Sequence, residues 1–428
     1  MMRFDTLPEW LAWQENLHFT EVDPGLDRIG QVWQRLNLVT ALPFKVVTVA
    51  GTNGKGSSVA MLDSILRAAD YKTGTYTSPH LLHYNERIMV NGQACSDDAI
   101  CRAFEQIDQA QGDLSLTYFE FATLAAVILF CDQKIDIAIL EVGMGGRLDA
   151  VNLFDADIAL ITPISLDHTQ WLGLDRDTIA FEKAGIIRRN KPVVCSEVTP
   201  AASLLAHAKQ LEAPLFISGQ HYHYQMKDSS WYWFNEQQRL DSLVFPALAG
   251  DYQIQNAAAV LEVVSLLGVQ GFTIDRTDIE QGLTEVKLAG RFQEVAGEIN
   301  HYFDVTHNEQ GAENLAHLLA STYCEGRTIA VLGMLKDKNV RAVSKILNSQ
   351  IALWYVGGLS GNRGLSGSDL SMQIAQSVNN STIHAKNTVV EAYNAALAEA
   401  KPGDRILVFG SFHTVETVML LLVNSTEN

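Results

Sequence analysis

The chain is expected to be an α/β protein in two parts. The first is a phosphate-loop NTPase-like domain with a mostly parallel sheet plus a small antiparallel sheet. The second is a smaller Rossmann-like α/β domain towards the C-terminal end. Three observations predict this. A β-branched run, Val46-Val47-Thr48-Val49-Ala50, ends in the glycine-rich turn Gly51-Thr52-Asn53-Gly54-Lys55-Gly56-Ser57, and a helix-like segment from Val59 to Ala69 follows. Strand-like and helix-like stretches then alternate, as in a parallel sheet covered by helices. Finally, the alternation restarts after Leu288-Ala289-Gly290-Arg291, which places a boundary near Gly290 and divides the chain into 1–289 and 290–428.

In order, Pro8 to Asn16 has the pattern of a short amphipathic helix, Asp23-Pro24-Gly25 of a turn, and Leu26 to Leu36 of a second helix. Beyond the glycine loop, strand-like runs recur at Lys72–Thr77, Ile135–Val142, Asp157–Thr162 and Pro192–Ser196, with helical stretches at Asp97–Gln109 and Thr117–Phe130. Gln220 to Pro246 breaks the rhythm with alternating aromatics (Tyr222, Tyr224, Trp231, Trp233), the pattern of antiparallel hairpins. A helix carrying Asn256-Ala257-Ala258-Ala259 comes next. In the second part, Tyr302–Val305, Arg327–Gly333, Ala352–Val356 and Arg405–Phe409 are expected strands; Ala312–Ala320, Val340–Leu347 and Val389–Ala400 are expected helices.

Composition narrows the function classes. At 428 residues the chain exceeds one simple core. A net charge of −18 argues against a nucleic-acid or anionic-membrane surface. Any anionic substrate must therefore be held by local basic residues or a metal. The five cysteines (Cys95, Cys101, Cys131, Cys195, Cys324) are scattered without a C-x-x-C pair, as expected of reduced thiols. There is no basic-then-apolar leader, and the longest apolar run, Ala122 to Cys131, is too short to span a bilayer. A cytoplasmic protein is expected.

The glycine loop is the strongest chemical signal. Strand, turn and helix N-terminus together aim backbone N–H groups at a phosphate, and the helix dipole favours negative charge. Lys55 adds a fixed positive charge, and the Ser57 hydroxyl is placed to reach a metal ion. The loop is shorter than the common phosphate-loop pattern. Polar residues also gather at other strand ends, where open α/β sheets hold ligands: Ser78-Pro79-His80, Glu141 to Asp149, Asp167-His168-Thr169 and Glu182-Lys183-Ala184-Gly185. Taken singly, Glu141 could be a capping acid, His168 a loop histidine and Lys183 a solvated charge. Alongside a phosphate loop, a hydroxyl, a carboxylate and an imidazole could hold a divalent cation against nucleotide phosphates. In the second part, Asp304-Val305-Thr306-His307-Asn308 ends the first expected strand and suits a nucleotide contact; the alternative is a turn that uses Asp and Asn for backbone capping.

These motifs, in this order, resemble the folylpolyglutamate synthases of the Mur-ligase-like superfamily of ATP-dependent amide ligases, above all their bifunctional bacterial members. The resemblance runs over nearly the whole chain, including Ala289-Gly290-Arg291-Phe292 and Gly333-Met334-Leu335-Lys336-Asp337-Lys338. It implies that L-glutamate is joined to dihydropteroate and then to reduced folates through an acyl phosphate. Gly51, Thr52, Asn53, Gly54, Lys55, Gly56 and Ser57 would cradle ATP, with Asn256, Arg291, Asp304 and His307 also binding the nucleotide. Ser78, Glu141, His168 and Lys183 would serve magnesium, two ions in all, with Lys183 carbamylated. Asp23, Pro24, Gly25, Leu26, Thr117, Phe119, Leu148, Asp149 and Ala150 match segments that bind dihydropteroate. Lys55, His168 and Lys183 would be catalytic, the amine's base being His168 or a metal-bound water. Alternatives are folylpolyglutamate synthesis alone or a peptidoglycan-type Mur ligase; a monomer is expected. Two departures stand out: the family's usual Ala-His-Asn-Pro is here Thr306-His307-Asn308-Glu309, and a common His-Gln pair is Tyr252-Gln253.

Overall fold

The computed structural model describes residues 3–20, 22–39, 41–378 and 382–426. The chain forms two compact units: residues 1–80, 84–247 and 253–287 in the first, and 81–83, 248–252 and 288–428 in the second.

The first unit is built on eight strands: β1 (Lys45–Ala50), β2 (Thr73–Tyr76), β3 (Ile88–Val90), β4 (Gln93–Ala94), β5 (Ile137–Glu141), β6 (Ile158–Ile161), β7 (Val193–Cys195) and β8 (Leu215–Ile217). Their order is β4-β3-β2-β5-β1-β6-β7-β8. From β2 to β8 the neighbours are parallel, while β3 and β4 add an antiparallel edge. β1 lies between β5 and β6, buried on both sides, which is why its sequence is a continuous apolar run. Val46, Tyr76, Ala138 and Leu140 of the sheet share one core with Trp10, Ile29, Phe104 and Phe121 from the covering helices. The Trp10 and Phe104 rings pack at a tilt with centres 5.8 Å apart, and Phe104 meets Phe121 edge-on at 5.4 Å. A separate cluster of Ala50, Val142, Ile161, Ile179 and Leu204 fills the β6–β7 side.

A three-stranded antiparallel sheet follows: β9 (Tyr222–Met226), β10 (Trp231–Asn235) and β11 (Arg239–Leu243). The period-2 aromatics explain it, since Tyr222, Trp231 and Trp233 are all buried. Helix Asp251–Val269 is the one helix among the described residues long and apolar enough to cross a membrane, but 67% of its apolar window is buried inside the protein.

The second unit has six strands, β12 (Gln293–Val295), β13 (Asn300–Asp304), β14 (Thr328–Leu332), β15 (Leu353–Gly357), β16 (Thr382–Lys386) and β17 (Arg405–Phe409), in the order β12-β13-β17-β14-β15-β16. All are parallel except β12. Alternate residues feed two cores: Leu332, Trp354 and Phe409 in one, Phe303, Val331 and Val408 in the other.

The fold class is the expected α/β class, and the differences from expectation lie at edges. Strands β3, β4, β8, β12 and β16 are short or half-exposed, so they lack the apolar run that marks a buried strand. The helix after β1 begins at Lys55, not Val59. Gly54, with φ +90, is its N-cap, so the glycine–serine stretch is not a loop but the helix's first turn.

Candidate active site

Three strand ends meet at the glycine loop. In the parallel register Val49 pairs with Glu141 and Ala50 with Ile161, so Thr162 comes level with Gly51 and Glu141 with Val49, two residues before it. The loop leaves no room for side chains. A Cβ on Gly51 would sit 1.8 Å from Thr162 Oγ1, and one on Gly54 2.5 Å from Asn256 Oδ1. Thr52 is anchored to the same segment: its N–H donates to Pro163 O at 2.9 Å, its hydroxyl accepts from Ser165 N and donates to Ser165 O, both at 3.1 Å. Helix Lys55–Ala68 starts with no side-chain cap, so its first turn presents N–H groups and dipole as an anion-binding end.

Two cations converge on this turn. Lys55 Nζ donates to Gly51 O and Thr52 O at 3.2 Å each. Lys183, the last residue of helix Arg176–Lys183 and 4% exposed, donates to Gly51 O at 2.7 Å. Burial first, and then the neighbouring charge of Lys55, push the Lys183 ammonium down to about 7.

Ser78, just past β2, and Glu141, the last residue of β5, lie side by side, with Ser78 N donating to Glu141 Oε2 at 3.4 Å. A hydroxyl next to a buried carboxylate suits a hard cation such as Mg²⁺, which takes one or two protein oxygens and completes its shell with water and phosphate. Among the described residues no three His, Cys, Asp or Glu side chains converge into a ready cage. His168 is the left-handed (φ 50) N-cap of helix Thr169–Leu172, its backbone N–H bonded to Asp167 Oδ1 at 2.8 Å. Asn256 Nδ2 donates to Gln253 Oε1 at 2.9 Å, and Gln253 Nε2 to Ser57 Oγ at 3.2 Å. The glutamine of the departing Tyr252-Gln253 pair thus reaches the loop hydroxyl.

The remaining first-unit residues adjoin one another. Gly25 N donates to Leu148 O at 3.2 Å, joining the Asp23–Leu26 turn to the Leu148–Ala150 segment. Asp23 is not a helix cap, since Leu26 holds that position. Its carboxylate instead pairs with Arg28 and lies 3.0 Å from His18 Nε2; the His18 interaction comes first among those holding it below the usual carboxylate range. Arg28 Nη2 also reaches Glu120 at 3.0 Å, and Glu120 forms a capping box with Thr117. Phe119 packs on Tyr76 with ring centres 5.6 Å apart. Asp149 accepts from Met144 N at 2.9 Å and Val151 N at 3.0 Å. Burial nonetheless raises its carboxyl to about 6. Sequence reasoning missed Arg28, Glu120 and His18; the Thr117-x-x-Glu120 spacing was the readable signal.

Within the second unit, Asp304 ties two turns together. Its Oδ2 accepts from Phe292 N and its Oδ1 from Thr306 N, both at 2.8 Å. That fixes Arg291, whose guanidinium lies 5.4 Å over Phe412, and His307, whose Nδ1–H donates to Val305 O at 2.8 Å. Asn308 caps helix Glu309–Ser321. Glu309 is therefore that helix's first residue, a position open to the family's proline and to an acid alike.

Residues 49–264 match the Mur ligase middle domain and residues 290–412 the Mur ligase glutamate ligase domain. The dihydrofolate synthase/folylpolyglutamate synthase of Escherichia coli (strain K12) is 41% identical, over 96% of this chain and 94% of its own. The chain belongs to this family of Mur ligases. Its fold likeness is as close. E. coli FolC in complex with DHPP and ADP has a TM-score of 0.92 at 40% identity, covering 99% of each chain. The bifunctional folylpolyglutamate synthase/dihydrofolate synthase of Yersinia pestis, complexed with AMPPNP and a Mn ion, has a TM-score of 0.89 at 39% identity, covering 98% of each.

Proposed function

We propose that this chain is an ATP-dependent carboxylate–amine ligase that joins L-glutamate to dihydropteroate, forming dihydrofolate, and then adds further glutamates to reduced folates. One observation carries the reading. Lys55 and Lys183 converge on Gly51 beside Ser78 and Glu141, and the Asp23, Thr117, Phe119 and Asp149 segments adjoin each other in the same unit.

A carboxylate is a poor electrophile. Its oxygen attacks the γ-phosphorus of ATP, the bond to the β-phosphate oxygen breaks, and ADP leaves with that electron pair. Lys55 and the N–H groups of the helix turn offset charge on the transferring phosphoryl group. The glutamate nitrogen then attacks the acyl carbon and loses a proton, for which His168 is the candidate base. Phosphate departs with the C–O electron pair, leaving an amide. Magnesium, held by Ser78, Glu141, His168 and a carbamylated Lys183, would supply electrostatic neutralisation of the phosphates. Asn256, Arg291, Asp304 and His307 would hold the nucleotide, Asp304 by fixing the two turns it bonds.

In this reading residues 1–289 are the ATP- and pteroate-binding domain and residues 290–428 the ligase domain, in a cytoplasmic monomer. Product masses test the proposal: the purified protein with ATP, Mg²⁺ and glutamate should convert dihydropteroate to dihydrofolate and lengthen a reduced folate. Activity on the reduced folate alone would leave a folylpolyglutamate synthase. No glutamylated product from either would refute the ligase.

A further inference from the structure

Arg87 is a buried cation that the chemistry above does not use. It is 9% exposed, and among the described residues its guanidinium makes one hydrogen bond, from Nε to His80 Nδ1 at 2.7 Å. The faces of Tyr84 and Tyr118 also pack on it, 5.5 Å and 5.3 Å from Cζ. Nε donates to an unprotonated imidazole nitrogen, so His80 carries no compensating negative charge there. Two aromatic faces offset only part of the cost of burying a guanidinium, and a side chain with five donors in a planar fork is here bonded through one of them. The neighbouring Tyr84 hydroxyl is buried and has no hydrogen-bond partner among the described residues. A guanidinium fork with donors to spare is the arrangement that takes a carboxylate through paired hydrogen bonds.

Position narrows which carboxylate. Arg87 O accepts from Thr77 N at 3.0 Å, which sets Arg87 beside Ser78 at the end of β2. Its guanidinium packs on Tyr118, between Thr117 and Phe119 in the chain. Arg87 therefore lies between the phosphate end and the pteroate segment. Dihydropteroate has one carboxylate, the one that reacts. A glutamylated folate carries a second, the α-carboxylate, between its aromatic body and its reacting end. We propose that Arg87 binds the α-carboxylate of the terminal glutamyl residue of an incoming folate, and so sets specificity for chain extension over the first ligation. This rests on the ligase reading above.

The experiment compares both activities in wild type, Arg87→Gln and Arg87→Lys. With a monoglutamyl reduced folate, KM should rise at least about ten-fold in Arg87→Gln and less in Arg87→Lys, the loss expected when a charge-assisted pair is removed. KM for dihydropteroate and for L-glutamate should stay within about two-fold of wild type, and normal dihydropteroate turnover vouches for the fold. As a probe needing no variant, the folate with its α-carboxylate converted to an amide should show a similar rise in KM with wild-type enzyme. Equal KM for acid and amide overturns the proposal. So does a higher glutamate KM in both activities, which would assign Arg87 to the incoming amino acid. Wild-type enzyme inert towards both acceptors would refute the ligase reading instead.

Discussion

Glu262 offers a direct test of how this fold handles a buried charge. It sits in helix Asp251–Val269, 1% exposed, where Asn235 Nδ2 donates to its Oε2 at 3.0 Å. The same helix carries Gln253 and Asn256 at the glycine loop. Burial pushes its carboxyl from 4.5 to about 7, and the Asn235 hydrogen bond only partly opposes this. At 1.36 kcal/mol per pH unit, the rise corresponds to about 3 kcal/mol. The sign follows from proton counting. Below pH 4.5 both folded and unfolded chains hold the proton and there is no penalty. Between 4.5 and 7 the unfolded chain releases it while the folded chain keeps it, so stability falls as pH rises; above 7 the penalty is constant. Glu262→Gln replaces the carboxyl with a neutral group of the same shape whose oxygen still accepts from Asn235. The variant should match wild type near pH 4.5 and exceed it by up to about 3 kcal/mol at pH 8, a rise in Tm of roughly 6–12 °C. Urea unfolding followed by tryptophan fluorescence, with Trp231 and Trp233 buried in the adjoining small sheet, measures both. A stability difference independent of pH, or a variant weaker than wild type at pH 8, would refute the reasoning.

Three further predictions concern the proposed chemistry. Lys55→Ala should fold normally yet lose ligation by at least about a hundred-fold, because it removes the charge aimed at the transferring phosphoryl; near-normal turnover at saturating ATP counts against the phosphate-loop role. Lys183→Ala should be inactive and partly recovered by acetate but not by alkylamines, since a carbamate is replaced by a carboxylate and not by an amine; the reverse order of rescue would make Lys183 a direct phosphate contact. Asp149→Ala should weaken dihydropteroate ligation more than polyglutamate extension, read as the ratio of the two kcat/KM values, and equal losses would assign Asp149 to machinery shared by both.

What was readable from sequence alone was whatever a contiguous stretch of chain encodes. Val46–Ala50 followed by glycines specifies strand and turn through local backbone preference and burial, although the helix starts at Lys55, before the apolar stretch that marks it, and the paired aromatics of residues 222–233 specify hairpins through period-2 alternation. The restart of the alternation near Gly290 likewise needs no partner to be seen. Short edge strands such as Thr382–Lys386 escaped because a half-exposed strand is held by its neighbour's backbone hydrogen bonds, which leave no apolar run behind.

The site's working contacts were settled by tertiary structure. Nothing local says that Lys183 will reach Gly51, 132 positions away, or that its ammonium will be driven to about 7. Nor does it say that Gln253 will meet Ser57, that Arg28 will bridge Asp23 and Glu120, or that Arg87 will be buried against two tyrosine rings. Charge, hydrogen-bond capacity and size belong to the side chain and are written in the sequence. Desolvation and proximity belong to the surroundings, and those exist only once the parallel sheet has brought its strand ends to one edge.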